Sequence, residues 1–292
     1  GIAFYPLGAE PKYVYVANTD SVVRFPYKNG DLKATGPAEE IVANIPSGNE
    51  KVGGGGHWTR DLQFSADGKT LFVSVGSRSN AGDDASETRR ANILAFDPEG
   101  KNERIYASGI RNPVGLAIDP ATGQLWTSVN ERDGLGDDLV PDYITHVEEG
   151  GFYGWPWYFL SGSNQDPRHK EKRPELKDKV VTPDVLVQSH SASLDLTFYD
   201  GATFPDTYKG DVFAAEHGSW NRARRTGYKV IRVPLEKGVS SGAYEDFLVG
   251  FVTPEGNVWG RPVGVAAAKD GSLMVTDDAS GTVWRVAYVG KK

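Results

Sequence analysis

Short apolar runs of four to six residues follow one another along the chain, separated by turns rich in glycine and aspartate, and helical spacing of apolar positions is almost absent. One phrase recurs: an apolar strand, a turn, a second strand, then a third strand of alternating polarity. Its first copy is Gly1-Ile-Ala-Phe4, Tyr13-Val-Tyr-Val-Ala17 and Ser21-Val-Val-Arg-Phe25. The second is Asp61-Leu-Gln-Phe-Ser-Ala-Asp-Gly68, Thr70-Leu-Phe-Val-Ser-Val75 and Asn92-Ile-Leu-Ala-Phe96. The third is Val114-Gly-Leu-Ala-Ile-Asp119, Gln124-Leu-Trp-Thr-Ser128 and Asp142-Tyr-Ile-Thr-His146. The fourth is Leu194-Asp-Leu-Thr-Phe198, Asp211-Val-Phe-Ala-Ala215 and Tyr228-Lys-Val-Ile-Arg-Val233. The fifth opens at Val263 and continues through Ser272-Leu-Met-Val-Thr276 and Thr282-Val-Trp-Arg-Val286.

Strands bounded by Asp-Gly turns are antiparallel signals. Starts ~50 to ~80 residues apart fit propeller blades with long insertions. A blade must bury both faces against neighbours, so the repeats predict an all-β propeller, with 1–292 as one domain. A β-sandwich would not repeat the triplet phrase. The first copy reads as entering mid-blade. The expected architecture is therefore six-bladed, with the first blade partly or wholly upstream of residue 1.

Composition narrows the function classes. Acidic residues number 39 against 32 basic ones, a net charge of -7, which argues against a nucleic-acid footprint. No apolar run is long enough to cross a bilayer, so a soluble protein is expected. The absence of cysteine removes disulfides, thiolate metal sites and thiol nucleophiles together. No signal peptide is visible, and the opening at Gly1 reads as the middle of a structural unit, which implies preceding residues.

The candidate chemistry sits in five insertions, at 51–58, 78–90, 130–142, 150–183 and 217–227. His57 follows four glycines and leads into a strand, so it is either a general base or an incidental loop histidine. Arg111 and Asn112 stand just before an inner strand, where they offer donors to a carbonyl or oxyanion, or simply close an Asn-Pro turn. Asn130-Glu-Arg-Asp-Gly-Leu-Gly-Asp-Asp138 interleaves carboxylates with glycines, as a calcium loop or a solvated acidic turn would. Gly151-Phe-Tyr-Gly-Trp-Pro-Trp-Tyr158 is either the wall of a sugar or cofactor site or plain packing. Glu216-His-Gly-Ser-Trp-Asn-Arg-Ala-Arg-Arg225 packs three arginines, a histidine and a tryptophan into ten residues. Arg261 repeats the pre-strand position of Arg111. Arg111, Arg261 and the Arg222 cluster are expected on one face of the ring, the footprint of a small planar polyanion.

As a set and in order, several segments resemble the soluble pyrroloquinoline quinone (PQQ)-dependent sugar dehydrogenases, in particular the aldose sugar dehydrogenase and L-sorbosone dehydrogenase-like branch. They are His57-Trp-Thr-Arg-Asp61, Gly109-Ile-Arg-Asn-Pro113, Asn130-Glu-Arg-Asp-Gly134, Gly150-Gly-Phe-Tyr-Gly-Trp-Pro156, His217-Gly-Ser-Trp-Asn-Arg222 and Gly260-Arg-Pro-Val-Gly264. The resemblance implies a six-bladed propeller, a periplasmic or secreted location, PQQ and Ca²⁺ as cofactors, a sugar substrate and a further electron acceptor. It implies His57 as general base, with Arg111 and Asn112 on the quinone. It implies Arg261 and Arg222 on the cofactor carboxylates. His217 and Arg222 stand in the neighbourhood where relatives carry a cofactor lysine. Backbone carbonyls near Glu131 and Arg132 would hold the Ca²⁺, and Asp137 and Asp138 a further ion. Glucose-specific relatives also carry an acid in the segment that reads Val75-Gly-Ser-Arg-Ser79 here, so His57 needs another partner. The competing readings are a calcium-dependent lactonase-type propeller hydrolase and a non-catalytic propeller binding proteins or glycans.

Overall fold

The computed structural model describes residues 1–47, 56–169 and 173–290. Each repeat becomes an antiparallel meander. The first sheet is β1 (Ile2–Tyr5), β2 (Tyr13–Ala17), β3 (Val22–Pro26) and β4 (Glu39–Val42), and the second is β5 (Leu62–Phe64), β6 (Leu71–Val75), β7 (Asn92–Phe96) and β8 (Arg104–Ser108). The third sheet takes β9 (Pro113–Ile118), β10 (Leu125–Val129) and β11 (Pro141–His146). A small hairpin, β12 (Tyr158–Phe159) and β13 (Ser161–Gln165), intervenes before that sheet is completed by β14 (Val185–Ser189). The fourth sheet is β15 (Ser193–Phe198), β16 (Val212–Glu216) and β17 (Lys229–Val233). A second hairpin, β18 (Leu235–Glu236) and β19 (Val239–Ser240), precedes its outer strand β20 (Glu245–Leu248). The fifth sheet is β21 (Pro262–Ala267), β22 (Leu273–Asp277) and β23 (Thr282–Val286).

All three strands of every expected triplet are present, to within a residue or two at the ends. The first sheet has four paired strands, so the first copy does not enter mid-blade. Sequence pattern missed the outer strands β4, β8, β14 and β20. Their residues, such as Glu39 and Glu40 in β4 or Glu245 and Asp246 in β20, are the charged side chains by which sheet edges avoid further pairing.

The chain divides into two compact units, Gly1–Val114 with Glu148–Thr182, and Gly115–Val147 with Pro183–Lys292. In the first unit, the first two sheets share a core of Tyr15, Val22, Leu62, Phe64, Leu71, Val73 and Leu94. β6 and β7 are buried at every position, so both faces of these strands are covered, and β7 departs from the alternating polarity expected of a third strand. In the second unit, Trp126, Ile144, Leu196, Phe198 and Ile231 join the third and fourth sheets, and Phe213, Val230, Val265 and Val275 join the fourth and fifth. Each such side chain contributes about 1.5–3 kcal/mol on burial, which fixes the strand ends that carry the candidate residues.

Candidate active-site elements in each unit

In the first unit, His57, Arg111 and Asn112 gather around the end of β6. The His57 N–H donates to the Ser77 carbonyl at 3.0 Å, and its ring Nδ1 lies 2.9 Å from the same oxygen and 3.2 Å from Ser77 Oγ. A carbonyl only accepts, so Nδ1 carries the proton and the basic lone pair of the neutral ring is on Nε2. The Val75–Ser79 segment, which lacks the acid of glucose-specific relatives, thus orients His57 through its backbone.

Gly76 makes this packing possible. A Cβ there would stand 2.2 Å from Asn112 Oδ1 and 2.6 Å from His57 Cβ, so only glycine lets both side chains close on the strand end. Gly56 does the same on the other side, where a Cβ would come within 2.2 Å of the Arg78 carbonyl. The other three glycines of that run, residues 53–55, lie outside the described residues.

Ser77 N–H donates to the Arg111 carbonyl at 2.7 Å, which ties the arginine to the same hub. The Arg111 guanidinium grips Asn80, with Nε 3.2 Å from its carbonyl and Nη2 2.9 Å from Oδ1. Trp155 Nε1 donates to that Asn80 carbonyl at 3.0 Å. The aromatic segment therefore braces the site from behind. Tyr153, Trp155, Tyr158 and Phe159 are buried, and a Cβ at Gly109 would strike the Phe152 ring at 2.5 Å. Of its two readings, packing accounts for these rings.

Two buried arginines went unnoticed in the sequence. Arg90 donates to the carbonyls of His57 (2.8 Å), Gly76 (3.0 Å) and Ser77 (3.3 Å). Arg60 donates to the His57 carbonyl at 3.1 Å, to Thr59 at 2.6 Å and to the Pro46 carbonyl. Burial, with the Arg90 charge adding to it, pushes Arg60 down to about 10. Nothing in a linear pattern marks an arginine that reads backbone carbonyls from distant turns.

In the second unit, the 130–138 loop is stitched to its neighbours through the carboxylates proposed as metal ligands. Glu131 and Arg132 are buried and paired, Nε to Oε2 at 2.9 Å. The Glu131 N–H donates to Asp142 Oδ1 at 2.8 Å, and Asp142 Oδ2 accepts from Ala192 N–H at 2.7 Å. Asp133 accepts from Asn221 Nδ2 at 2.7 Å. Asp137 accepts the Ala223 N–H at 3.0 Å, and Asp138 pairs with Arg222 Nη2 at 2.6 Å. Among the described residues no three His, Asp or Glu side chains are grouped to hold an ion. Asp137 and Asp138 tether the 222–223 backbone and the Arg222 charge. A cation at Asp138 would have to compete with that guanidinium.

Arg222 also donates to the Ser189 carbonyl at 3.3 Å. His217 Nε2 lies 3.0 Å from Asp278 Oδ1, and the Asp278 N–H donates to the Arg261 carbonyl at 3.3 Å, which brings His217 and Arg261 to one turn. Asp277 collects the N–H groups of Arg261, Ala279 and Ser280 and the Trp284 indole. Burial alone would raise its pKa, but these bonds hold it down at about 2, so the turn presenting Arg261 is pinned by a carboxylate. The Arg261 side chain itself is exposed.

The residues of the first unit fit PQQ. Asn112 Oδ1 is a buried acceptor with no hydrogen-bond partner, next in the chain to Arg111, whose guanidinium is held by Asn80. A planar polyanion with carbonyls and a ring N–H on its rim suits that pair, whereas Arg60 and Arg90 are engaged by backbone carbonyls. The acidic side chains of the second unit do not form a Ca²⁺ cage.

Comparisons with known proteins bear on this arrangement. A protein of Borreliella burgdorferi, described as uncharacterized, is 33% identical over 251 residues, covering 85% of this chain and 64% of that protein. The pyrroloquinoline quinone-dependent pyranose dehydrogenase of Coprinopsis cinerea is 27% identical over 290 residues, covering 78% of this chain and 39% of that one. The chain thus spans less than two thirds of the length of either relative. The holo pyranose dehydrogenase PQQ domain from Coprinopsis cinerea superposes with a TM-score of 0.77 at 23% identity, covering 99% of this chain and 81% of that domain. That likeness, together with the meander series, makes the fold an all-β propeller. The model of the glucose/sorbosone dehydrogenase family matches residues 2–285, through all five sheets, and the chain belongs to that family.

Proposed function

We propose that the protein oxidises an aldose at C1 with PQQ as electron acceptor, His57 acting as general base. The observation carrying this reading is the His57 tautomer: the Ser77 carbonyl fixes the proton on Nδ1 and leaves Nε2 as the nitrogen that accepts one. Nε2 takes the proton of the anomeric hydroxyl while C1 loses a hydride, so the sugar leaves as its lactone. When bound, PQQ supplies the two-electron sink for that hydride. Arg111 and Asn112 would hold the quinone edge, where the Arg111 guanidinium would favour negative charge on a quinone oxygen. Arg60 and Arg90 keep the His57 backbone in place by gripping its carbonyl. In the second unit, Arg261, with His217 and Arg222 as further candidates, would supply charge for a cofactor carboxylate. Backbone carbonyls at Glu131 and Arg132 would hold Ca²⁺. The physiological setting consistent with this chemistry is periplasmic or secreted.

Calorimetric titration of PQQ, with and without Ca²⁺, tests the reading directly. Saturable one-to-one binding is expected, tighter with Ca²⁺, and no heat in either condition would refute it. Arg261→Ala should weaken PQQ about 10- to 100-fold, the worth of one charge-assisted hydrogen bond. The exposed side chain makes this a clean test, because its loss should leave the melting temperature unchanged. An unaltered affinity would remove Arg261 from the cofactor set.

A further inference from the structure

Directly after His57 stands a residue that the chemistry above leaves without a task. Trp58 is 67% exposed, although tryptophan is usually well covered in a folded domain. With Thr59 and Arg60 it lines one side of an open pocket of about 520 Å³, and Ala17, Asn18, Thr19 and Asp20, from the turn between β2 and β3, line the other. All of these residues belong to the first unit. The volume lies within the ~300–1,000 Å³ of small-molecule sites.

The lining has the chemistry of a sugar site. An indole face accepts the apolar C–H face of a pyranose ring, and amide, hydroxyl and carboxylate groups read its hydroxyls. The turn is braced for this purpose. Asn18 N–H donates to the Ser21 carbonyl at 2.8 Å, Ser21 Oγ donates to Asp20 Oδ1 at 3.3 Å, and the Asp20 carbonyl accepts the Ile45 N–H at 2.8 Å. Arg60, the pocket's cation, has its guanidinium turned to the carbonyls of Pro46, His57 and Thr59. The charge offered to a ligand is therefore that of Asp20, which favours a neutral polyol and opposes an anionic sugar. Trp58 follows His57 directly, with Cα atoms about 3.8 Å apart, so the pocket lies in the neighbourhood of that residue.

We infer that Trp58 and the 17–20 turn form the subsite that holds the pyranose ring of a neutral sugar for His57. The inference rests on the sugar-oxidising reading above. The experiment keeps the two separable by following sugar binding itself. ¹⁵N-indole spectra of the protein, which has seven tryptophans, would be recorded during titration with D-glucose and with D-glucuronate, in PQQ-free and PQQ-loaded samples. The Trp58 signal is assigned by its loss in Trp58→Phe.

D-glucose is expected to shift the Trp58 resonance saturably, and D-glucuronate to bind at least tenfold more weakly. Trp58→Ala should lose about tenfold in glucose affinity, and Trp58→Phe, which keeps an aromatic face, should stay within about threefold. Asp20→Asn should narrow the gap between the two sugars. In turnover the Trp58→Ala defect should fall on KM with kcat retained. A Trp58 resonance unmoved by D-glucose in both samples, or wild-type glucose affinity in Trp58→Ala, would overturn the subsite. Failure of PQQ to bind, with the Trp58 shift intact, would instead refute the oxidase reading and leave the sugar site standing.

Discussion

Replacing His57 with glutamine is expected to lower kcat for sugar oxidation by roughly 10³-fold while PQQ affinity stays within about twofold of wild type. The substitution isolates the proton-accepting role. Glutamine has a side-chain N–H that can still donate toward the Ser77 carbonyl, now engaged by Nδ1 at 2.9 Å, and it has a similar reach. It has no lone pair basic enough to take the anomeric proton. The backbone bonds from Arg60 and Arg90 to the residue-57 carbonyl do not depend on the side chain, so the local fold is retained. Single-turnover reduction of bound PQQ separates the chemical step from binding and product release. Equal rates in the two proteins would remove His57 from the mechanism.

The second large effect concerns stability. Glu216, at the end of β16, pairs across the fourth sheet with Ser193 on one side and Lys229 on the other. It is fully buried, and its Oε2 accepts the Ser193 hydroxyl at 2.6 Å. Burial is the main cause that pushes its carboxyl up to about 8; Asp142 and Asp246 add to the rise, against the Ser193 hydroxyl and Lys229. A pKa raised in the folded state means that the protonated acid is the form that stabilises. Its contribution is complete below the ordinary value of 4.5 and is lost as the pH climbs through about 8. At about 1.4 kcal/mol per pH unit, the loss over that window is on the order of 5 kcal/mol. Glu216→Gln keeps an amide that cannot ionise, so its advantage over wild type in urea unfolding should widen from pH 5 to pH 8. Unfolding curves whose separation does not change with pH would mean that Glu216 ionises normally.

These two residues also differ in how legible they were. His57 stands out in the sequence because a histidine after a glycine run, ahead of a strand and within a segment that resembles a known family, is a candidate base. Glu216 opens the Arg/His/Trp cluster, yet its burial depends on the strands that flank β16, and no local property announces it. Asp137 and Asp138 show the converse. Their spacing with glycines resembles a calcium loop, and only the tertiary structure adds that they also take the Ala223 N–H and the Arg222 guanidinium.

The sequence by itself determined the five strand triplets and the all-β class, and singled out His57, Arg111 and Asn112 as candidates, because strand period, turn chemistry and short motifs are local along the chain. Tertiary structure alone decided what those residues do to one another. It placed the Ser77 carbonyl against Nδ1, buried Arg60 and Arg90 around the His57 backbone, and set the 17–20 turn opposite Trp58. Arg60 is a near neighbour of His57, but Ser77 and Arg90 reach it from positions 20 and 33 residues away and the 17–20 turn meets Trp58 across a similar gap, and such proximity follows from how the sheets pack, not from any pattern a linear chain displays.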